Sequence, residues 1–271
     1  MFLTRVLTAA VLLPLFIGGL FFLPGLWWSA ALFPLLLAGG WEWASLAGFN
    51  RQGHWAFCTL LLITAPALLL AGDLQQWFLP ETAALWASAG FWLFIAPVWL
   101  RLGWKPRSAL LFAVTGWILL VPTWLALVRL QELPWLLLAV LGVVWIADSA
   151  AYFSGHAWGR HKLAPAISPG KTWEGVAGAA VAVAVYHAVV WRFGFSPVKP
   201  DLGVAAAVLV ALLFPLSIIG DLFESLIKRQ AGVKDSGKLL PGHGGVLDRI
   251  DALTSTLPLA ALVVALLLQR A

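Results

Sequence analysis

The chain has almost no thiol and little charge. Cys58 is the single cysteine among 271 residues, which excludes an internal disulfide and a Cys-based metal cage; a lone thiol of this kind reads as a small buried hydrophobe. Charged residues are only 11% of the sequence and hydrophobic residues 62%, with a mean hydropathy of +0.92. A soluble domain of this length cannot hide so much apolar surface in one core, so the chain must be dissolved in lipid. Seventeen Trp and only 17 Lys plus Arg suit an integral membrane protein with indoles in the headgroup belts and cations in short loops. The formal charge of +5 is therefore no nucleic-acid footprint, and nucleic acid is not an expected partner. There is no internal repeat and no second soluble domain.

What is abundant is apolar run. Segments of roughly 20 apolar residues, enough to cross the hydrocarbon core, predict an all-α polytopic membrane fold of about nine transmembrane helices. They lie near 6–23, 26–48, 54–72, 83–100, 108–128, 134–153, 173–192, 202–221 and 252–269. Turn residues such as Leu23-Pro24-Gly25, Lys105-Pro106-Arg107 and Ser196-Pro197 separate them. The first run is read as a membrane helix and not a cleaved leader, because no small-x-small site follows it and another apolar span begins at once. Residues 1–130 are expected to be structural and 131–271 to carry the site, within one membrane domain. With nine spans and a cytoplasmic N-terminus, 13 of the 17 Lys and Arg fall on the cytoplasmic side, in keeping with the positive-inside bias. Without the two long connections, 154–172 and 222–251, the balance is only five to four. In the first half the one oddity is Glu42, between Trp41 and Trp43. It is expected to be an interfacial carboxylate held by those indoles and a nearby cation.

The scarce charge is concentrated. Ser225 to Asp251 holds Lys228, Arg229, Lys234, Asp235, Lys238, His243, Asp248, Arg249 and Asp251 within 27 residues. Asp221, Glu224, Ser225 and Lys228 recur at helical spacing and form one polar face opposite Leu222, Phe223, Leu226 and Ile227. Asp248 and Asp251 open the ninth helix one turn apart, after the glycines Gly242, Gly244 and Gly245, which allow close backbone approach to a ligand. Upstream, Asp148, Tyr152 and His156 share a flank of the sixth helix. The next loop brings Ser168, Lys171, Thr172 and Glu174 to the start of the seventh, where free N–H groups favour an anion such as phosphate. Gly170-Lys171-Thr172 is not a Walker A loop: the earlier glycine would fall at Pro165, and no strand is expected before it.

Asp221, Asp248 and Asp251, with Asp148 and Glu224, make several carboxylates near one interface, which cannot all stay ionised without a cation. Oxygen donors without Cys point to Mg2+, completed by water and substrate phosphates. The interleaved Lys and Arg suit a polyanionic substrate, so the equipment is that of phosphoryl or nucleotidyl transfer. A transporter, whose intramembrane acids line a path, is the non-enzymatic alternative, although here the polar residues gather at one face. A phosphatidyl transferase would want an Asp-Gly-x-x-Ala-Arg arrangement, which is absent from the chain.

Ser225, Lys228-Arg229, Lys234-Asp235, His243-Gly244-Gly245 and Asp248-Arg249-Ile250-Asp251 together resemble the signature of the CDP-diacylglycerol synthase family, also called phosphatidate cytidylyltransferases. Asp148 to Tyr152 and Ser168 to Gly175 are similar to that family as well. The resemblance implies CTP and phosphatidate as substrates, CDP-diacylglycerol and pyrophosphate as products, Mg2+ dependence with potassium as a second cation, and a homodimer. Carried onto these residues, it implies metal ligation by Asp221, Asp248 and Asp251. Lys228, Arg229 and Arg249 would offset charge on the pyrophosphate, and His243 would serve as a phosphate contact or loop organiser. Asp148, Tyr152, Ser168, Lys171, Thr172, Glu174, Ser225, Lys234, Gly244 and Gly245 would line the substrates. The expected location is a bacterial inner membrane with the site facing the cytoplasm.

Overall fold

The computed structural model describes residues 2–74, 80–193, 203–242 and 244–268. Among them the chain forms helical rods joined by short turns: α1 (Phe2–Phe22), α2 (Gly25–Leu46), α3 (Arg51–Leu74), α4 (Pro80–Leu102), α5 (Ala109–Leu130), α6 (Pro134–Trp158), α7 (Trp173–Arg192), α8 (Gly203–Gln230) and α9 (Leu247–Leu268). In hydrocarbon every backbone polar group must be satisfied within the chain, and a helix does this segment by segment. Seven of the rods, α3 through α9, are long and apolar enough to cross a membrane. That is fewer than the nine expected from sequence. The apolar helical stretch found in α1 is shorter, Thr8–Phe22, and α2 is diluted by four Trp and Glu42.

The fold is not wholly helical. Between α6 and α7 a short antiparallel hairpin pairs β1 (Lys162–Ala164) with β2 (Ser168–Thr172), Lys162 opposite Thr172 and Ala164 opposite Ser168. The expectation that no strand precedes α7 is therefore wrong. Outside the lipid this polar segment satisfies its backbone by cross-strand pairing, which a helix interrupted by Pro165, Pro169 and Gly170 could not do. The polar stripes, by contrast, are helical as their spacing predicts: α6 runs on to Trp158 and α8 to Gln230, and α9 begins at Leu247, ahead of both acids.

Side-chain hydrogen bonds sort the helix ends onto two faces. On one, the Thr8 hydroxyl donates to Pro241 O (3.2 Å) and the Gln230 amide to Trp104 O (2.8 Å). On the other, the Gln131 amide donates to Leu23 O (2.8 Å), and Arg129 reaches Leu69 O (3.2 Å) and the Glu81 carboxylate (3.0 Å). This is the alternation that successive crossings require. Two buried indoles are satisfied within the chain, Trp28 and Trp43 donating to Leu127 O and Phe112 O of α5 at 3.0 and 2.9 Å, whereas those of Trp92 and Trp124 find no acceptor among the described residues.

Two packing features position the site. Gly220 on α8 lies against α9 so closely that a Cβ there would meet the Ser255 hydroxyl and Asp251 O; only glycine allows Asp221 and Asp251 to come this near. Behind them, fully buried Phe223 meets the rings of Phe91, Trp92 and Trp99 edge-on at 5.4, 5.5 and 5.3 Å. A π-helical turn over Phe91–Ile95 interrupts α4 at this contact. Phe223→Ala is expected to cost about 3–5 kcal/mol through the cavity it leaves, read as a lower thermal midpoint in detergent. Lipid-facing Phe94→Ala, at a site 71% exposed, should leave the midpoint nearly unchanged.

Candidate active site

A cavity of about 690 Å³ opens at the polar face, between α6, the hairpin, α7, α8 and α9. Its polar lining is Asp148, Tyr152 and His156 from α6, Lys162, Ser168, Lys171 and Thr172 from the hairpin, Asp221 from α8, and Asp248, Arg249 and Asp251 from α9. Apolar residues complete it, among them Ala147, Ala151, Val176, Ala179 and Ile218. The cavity thus offers charge to a headgroup and a smooth surface to hydrocarbon. A groove of 660 Å³ between α3 and α5 has Arg107 among mainly apolar residues and no carboxylate, so it lacks donors for a cation.

Asp248 is the most heavily bonded acid of the site. Its Oδ1 receives the Lys228 ammonium at 2.6 Å, and its Oδ2 accepts from Ser236 N (2.9 Å), the Ser236 hydroxyl (3.0 Å) and Gly245 N (2.8 Å). The Lys228 Nζ also lies 3.1 Å from Glu224 Oε1, but off the hydrogen-bonding direction, so both buried oxygens of Glu224 lack a hydrogen bond. On the opposite side of the cavity the Lys171 ammonium from the hairpin reaches Asp221 Oδ2 at 2.5 Å. The Ser225 hydroxyl holds Asp221 Oδ1 from one turn further on, at 3.3 Å.

Several expected site residues have other duties. Thr172 is buried and caps α7, its hydroxyl accepting from Gly175 N at 3.1 Å. Glu174 turns back onto the hairpin, accepting from Arg160 N and His161 N and meeting His161 Nδ1 at 2.6 Å. Arg229 ties the end of α8 to Ile167 O (3.4 Å) and Val233 O (3.3 Å). Lys228, Arg229, Ser225, Lys234, Glu174, Gly244 and Gly245 do not line the cavity, whereas Arg249 does. His243 lies outside the described residues. Gly244, at φ +85°, and Gly245 pack against carboxylates: a Cβ on the first would meet Asp248 Oδ2, and on the second the Ser236 hydroxyl and the Glu42 carboxylate.

No three His, Cys, Asp or Glu side chains converge on one point among the described residues, so there is no preformed protein cage. The donor set still fits Mg2+, which takes one or two carboxylates and completes its shell with water and phosphates. Four acids line one cavity, and lysine ammoniums already stand on Asp221 and Asp248, where a cation is evidently favoured.

Ser236 and Lys162 are site residues that sequence reasoning missed; nothing in their spacing marks them. Glu42 was visible as an acid inside an apolar run, but its expected partners are wrong. The Trp43 indole donates to Phe112 O, and Trp41 packs on His54 and Trp55. Glu42 instead accepts from Val246 N (3.0 Å), Leu247 N (2.9 Å) and the Ser236 hydroxyl (3.0 Å). The carboxylate thus serves as acceptor for the glycine loop, and it is packed closely against Gly245. Gly245→Ala should therefore lower the thermal midpoint by an amount worth about 1–3 kcal/mol, as overpacking does. Gly170→Ala, where nothing lies within 4 Å of the added carbon, is the control expected to change little.

The Cytidylyltransferase family matches residues 3–267 of this chain. Among curated relatives, a protein of Pseudomonas aeruginosa named phosphatidate cytidylyltransferase is 41% identical over 273 residues, covering 95% of this chain and 94% of the relative. Proteins of the same name from Haemophilus influenzae and Brucella suis are each 36% identical, over 94% and 93% of this chain and 95% and 89% of theirs. With its motifs gathered around one amphipathic cavity, the chain belongs to the cytidylyltransferase family.

Proposed function

We propose that this chain is a phosphatidate cytidylyltransferase, an enzyme of phospholipid biosynthesis that converts CTP and phosphatidate to CDP-diacylglycerol and pyrophosphate. The observation that carries this reading is the cavity itself, lined by acids and cations together with small apolar residues. Such a site accepts a nucleoside triphosphate from water and a lipid phosphate from the bilayer. A phosphatidate oxygen, already an anion at neutral pH, attacks the α-phosphorus of CTP. The bond from that phosphorus to the bridging oxygen breaks, and pyrophosphate leaves with the electron pair. In-line positioning and charge neutralisation supply most of the catalysis.

Asp221, Asp248 and Asp251 would hold Mg2+, which when bound neutralises phosphate charge, with potassium as a second cation nearby. Lys171 and Ser168 take the lipid phosphate at the rim of the cavity. Arg249, on the cavity wall, offsets charge on the departing pyrophosphate. Lys228, buried against Asp248 at 2.6 Å, fixes that carboxylate, a duty different from the phosphate contact suggested by the motif alone. Ala147, Ala151 and Ala179 leave room for the glycerol and upper acyl region. We further propose nine crossings, with the polar face in the cytoplasm of a bacterial inner membrane, and a homodimer.

Pyrophosphate release on mixing CTP with phosphatidate in detergent micelles is expected to require Mg2+ and to stop on chelation. Asp248→Asn and Asp251→Asn should each lower turnover by about 100-fold or more, with the protein still inserted. Near wild-type turnover of Asp248→Asn at saturating Mg2+ would remove that residue from the metal set. Lys171→Met is expected to raise the KM for phosphatidate more than that for CTP.

A further inference from the structure

Glu42 belongs to α2, in the half of the chain that carries none of the motif residues, and it is only 6% exposed. Among the described residues, no lysine, arginine or histidine is one of its hydrogen-bond partners. Its two oxygens are used on the loop that leads into α9: Val246 N, Leu247 N and the Ser236 hydroxyl. Those two amides stand at the N-terminus of α9, where helices have donors without internal partners and favour negative charge. The loop closes tightly on the carboxylate, since a Cβ at Gly237 or at Gly245 would collide with it. Ser236 then lies between two acids, its oxygen 3.0 Å from Glu42 Oε2 and 3.0 Å from Asp248 Oδ2. A hydroxyl has one proton to donate, so this link serves one acid at a time. The remaining donors to Asp248 Oδ2, Ser236 N and Gly245 N, come from the same loop. Every hydrogen bond to this oxygen therefore comes from Ser236 or Gly245, on the same loop that Glu42 holds at Ser236, Val246 and Leu247.

We propose that Glu42, linked through Ser236, is a positioning residue for nucleotidyl transfer: it fixes the orientation of Asp248 and of the loop before α9. This rests on the functional reading above. A buried carboxylate without a cationic partner is costly, and packing alone would be served better by an apolar side chain. Its geometry selects for an acceptor on both oxygens. The amide of Gln would turn a donor toward the backbone N–H groups that Glu42 now satisfies.

The test compares Glu42→Gln, Ser236→Ala and the double variant as purified full-length protein. In steady-state pyrophosphate release, Glu42→Gln is expected to lower kcat by about 100-fold, as a small misplacement of a reacting centre does, with the KM for CTP changed by less than about threefold. Ser236→Ala should lower kcat by about tenfold, the loss of one hydrogen bond to a charged group. The double variant should be no slower than Glu42→Gln, because both act through one link. Hydrogen–deuterium exchange read by mass spectrometry should rise over residues 244–249 in Glu42→Gln and stay unchanged over α5. Losses that multiply, an effect on KM alone, or wild-type kcat in both single variants would overturn the assignment. If Glu42→Gln does not fold, the kcat and KM of Ser236→Ala decide. No pyrophosphate release from the unaltered chain would sink the functional reading itself, whereas release with unaffected variants sinks only the role given to Glu42.

Discussion

The arrangement of the polar face depends on how one carboxylate, Asp248, is held. It accepts from Lys228 on α8 and from Ser236 and Gly245 on the connecting loop, so α8, the loop and the start of α9 share it as a common anchor. A carboxylate this well supplied with donors is stabilised in its charged form even where solvent is scarce. Around it runs a chain of polar contacts: Glu224, Lys228, Asp248, the Ser236 hydroxyl and Glu42 follow one another at 3.1, 2.6, 3.0 and 3.0 Å. Removing any member leaves a neighbour buried with unmet polarity, which costs more than the bond itself is worth.

Lipid explains why the charges are crowded at one end. Along most of each helix the surroundings offer no water, so polar side chains are few and many turn to backbone carbonyls, as with Trp28, Trp43 and Ser255. Only where α6, α8 and α9 reach the interface can acids and lysines collect. The small residues at helix contacts do the rest. Gly220 brings α8 against α9, which gathers acids of two separate helices into the lining of one cavity.

Much of this was legible in the chain. Helical spacing alone places Asp148 with Tyr152 and Asp221 with Ser225; both stripes are helical, the first pair lines one cavity and the second is hydrogen-bonded. The length and composition of the apolar runs located the rods. The hairpin escaped notice because five polar and turn residues in a row carry no periodicity, and its pairing is set by the exits from α6 and into α7. Thr172 and Glu174 also bond within the protein, to Gly175 N and the hairpin backbone, contacts that residue type alone does not reveal. Ser236 was invisible for a related reason. Its importance comes entirely from lying between Glu42 and Asp248, acids separated by about two hundred positions in the chain.

That long separation has a consequence for how the protein is made. Glu42 is synthesised about two hundred residues ahead of Val246 and Leu247, whose amides it accepts from. Those hydrogen bonds can form only once α9 is made and packed, and Asp248 and Asp251 arrive with the same helix. The helix that brings the acids to the cavity is thus also the one that first gives the buried carboxylate its backbone donors.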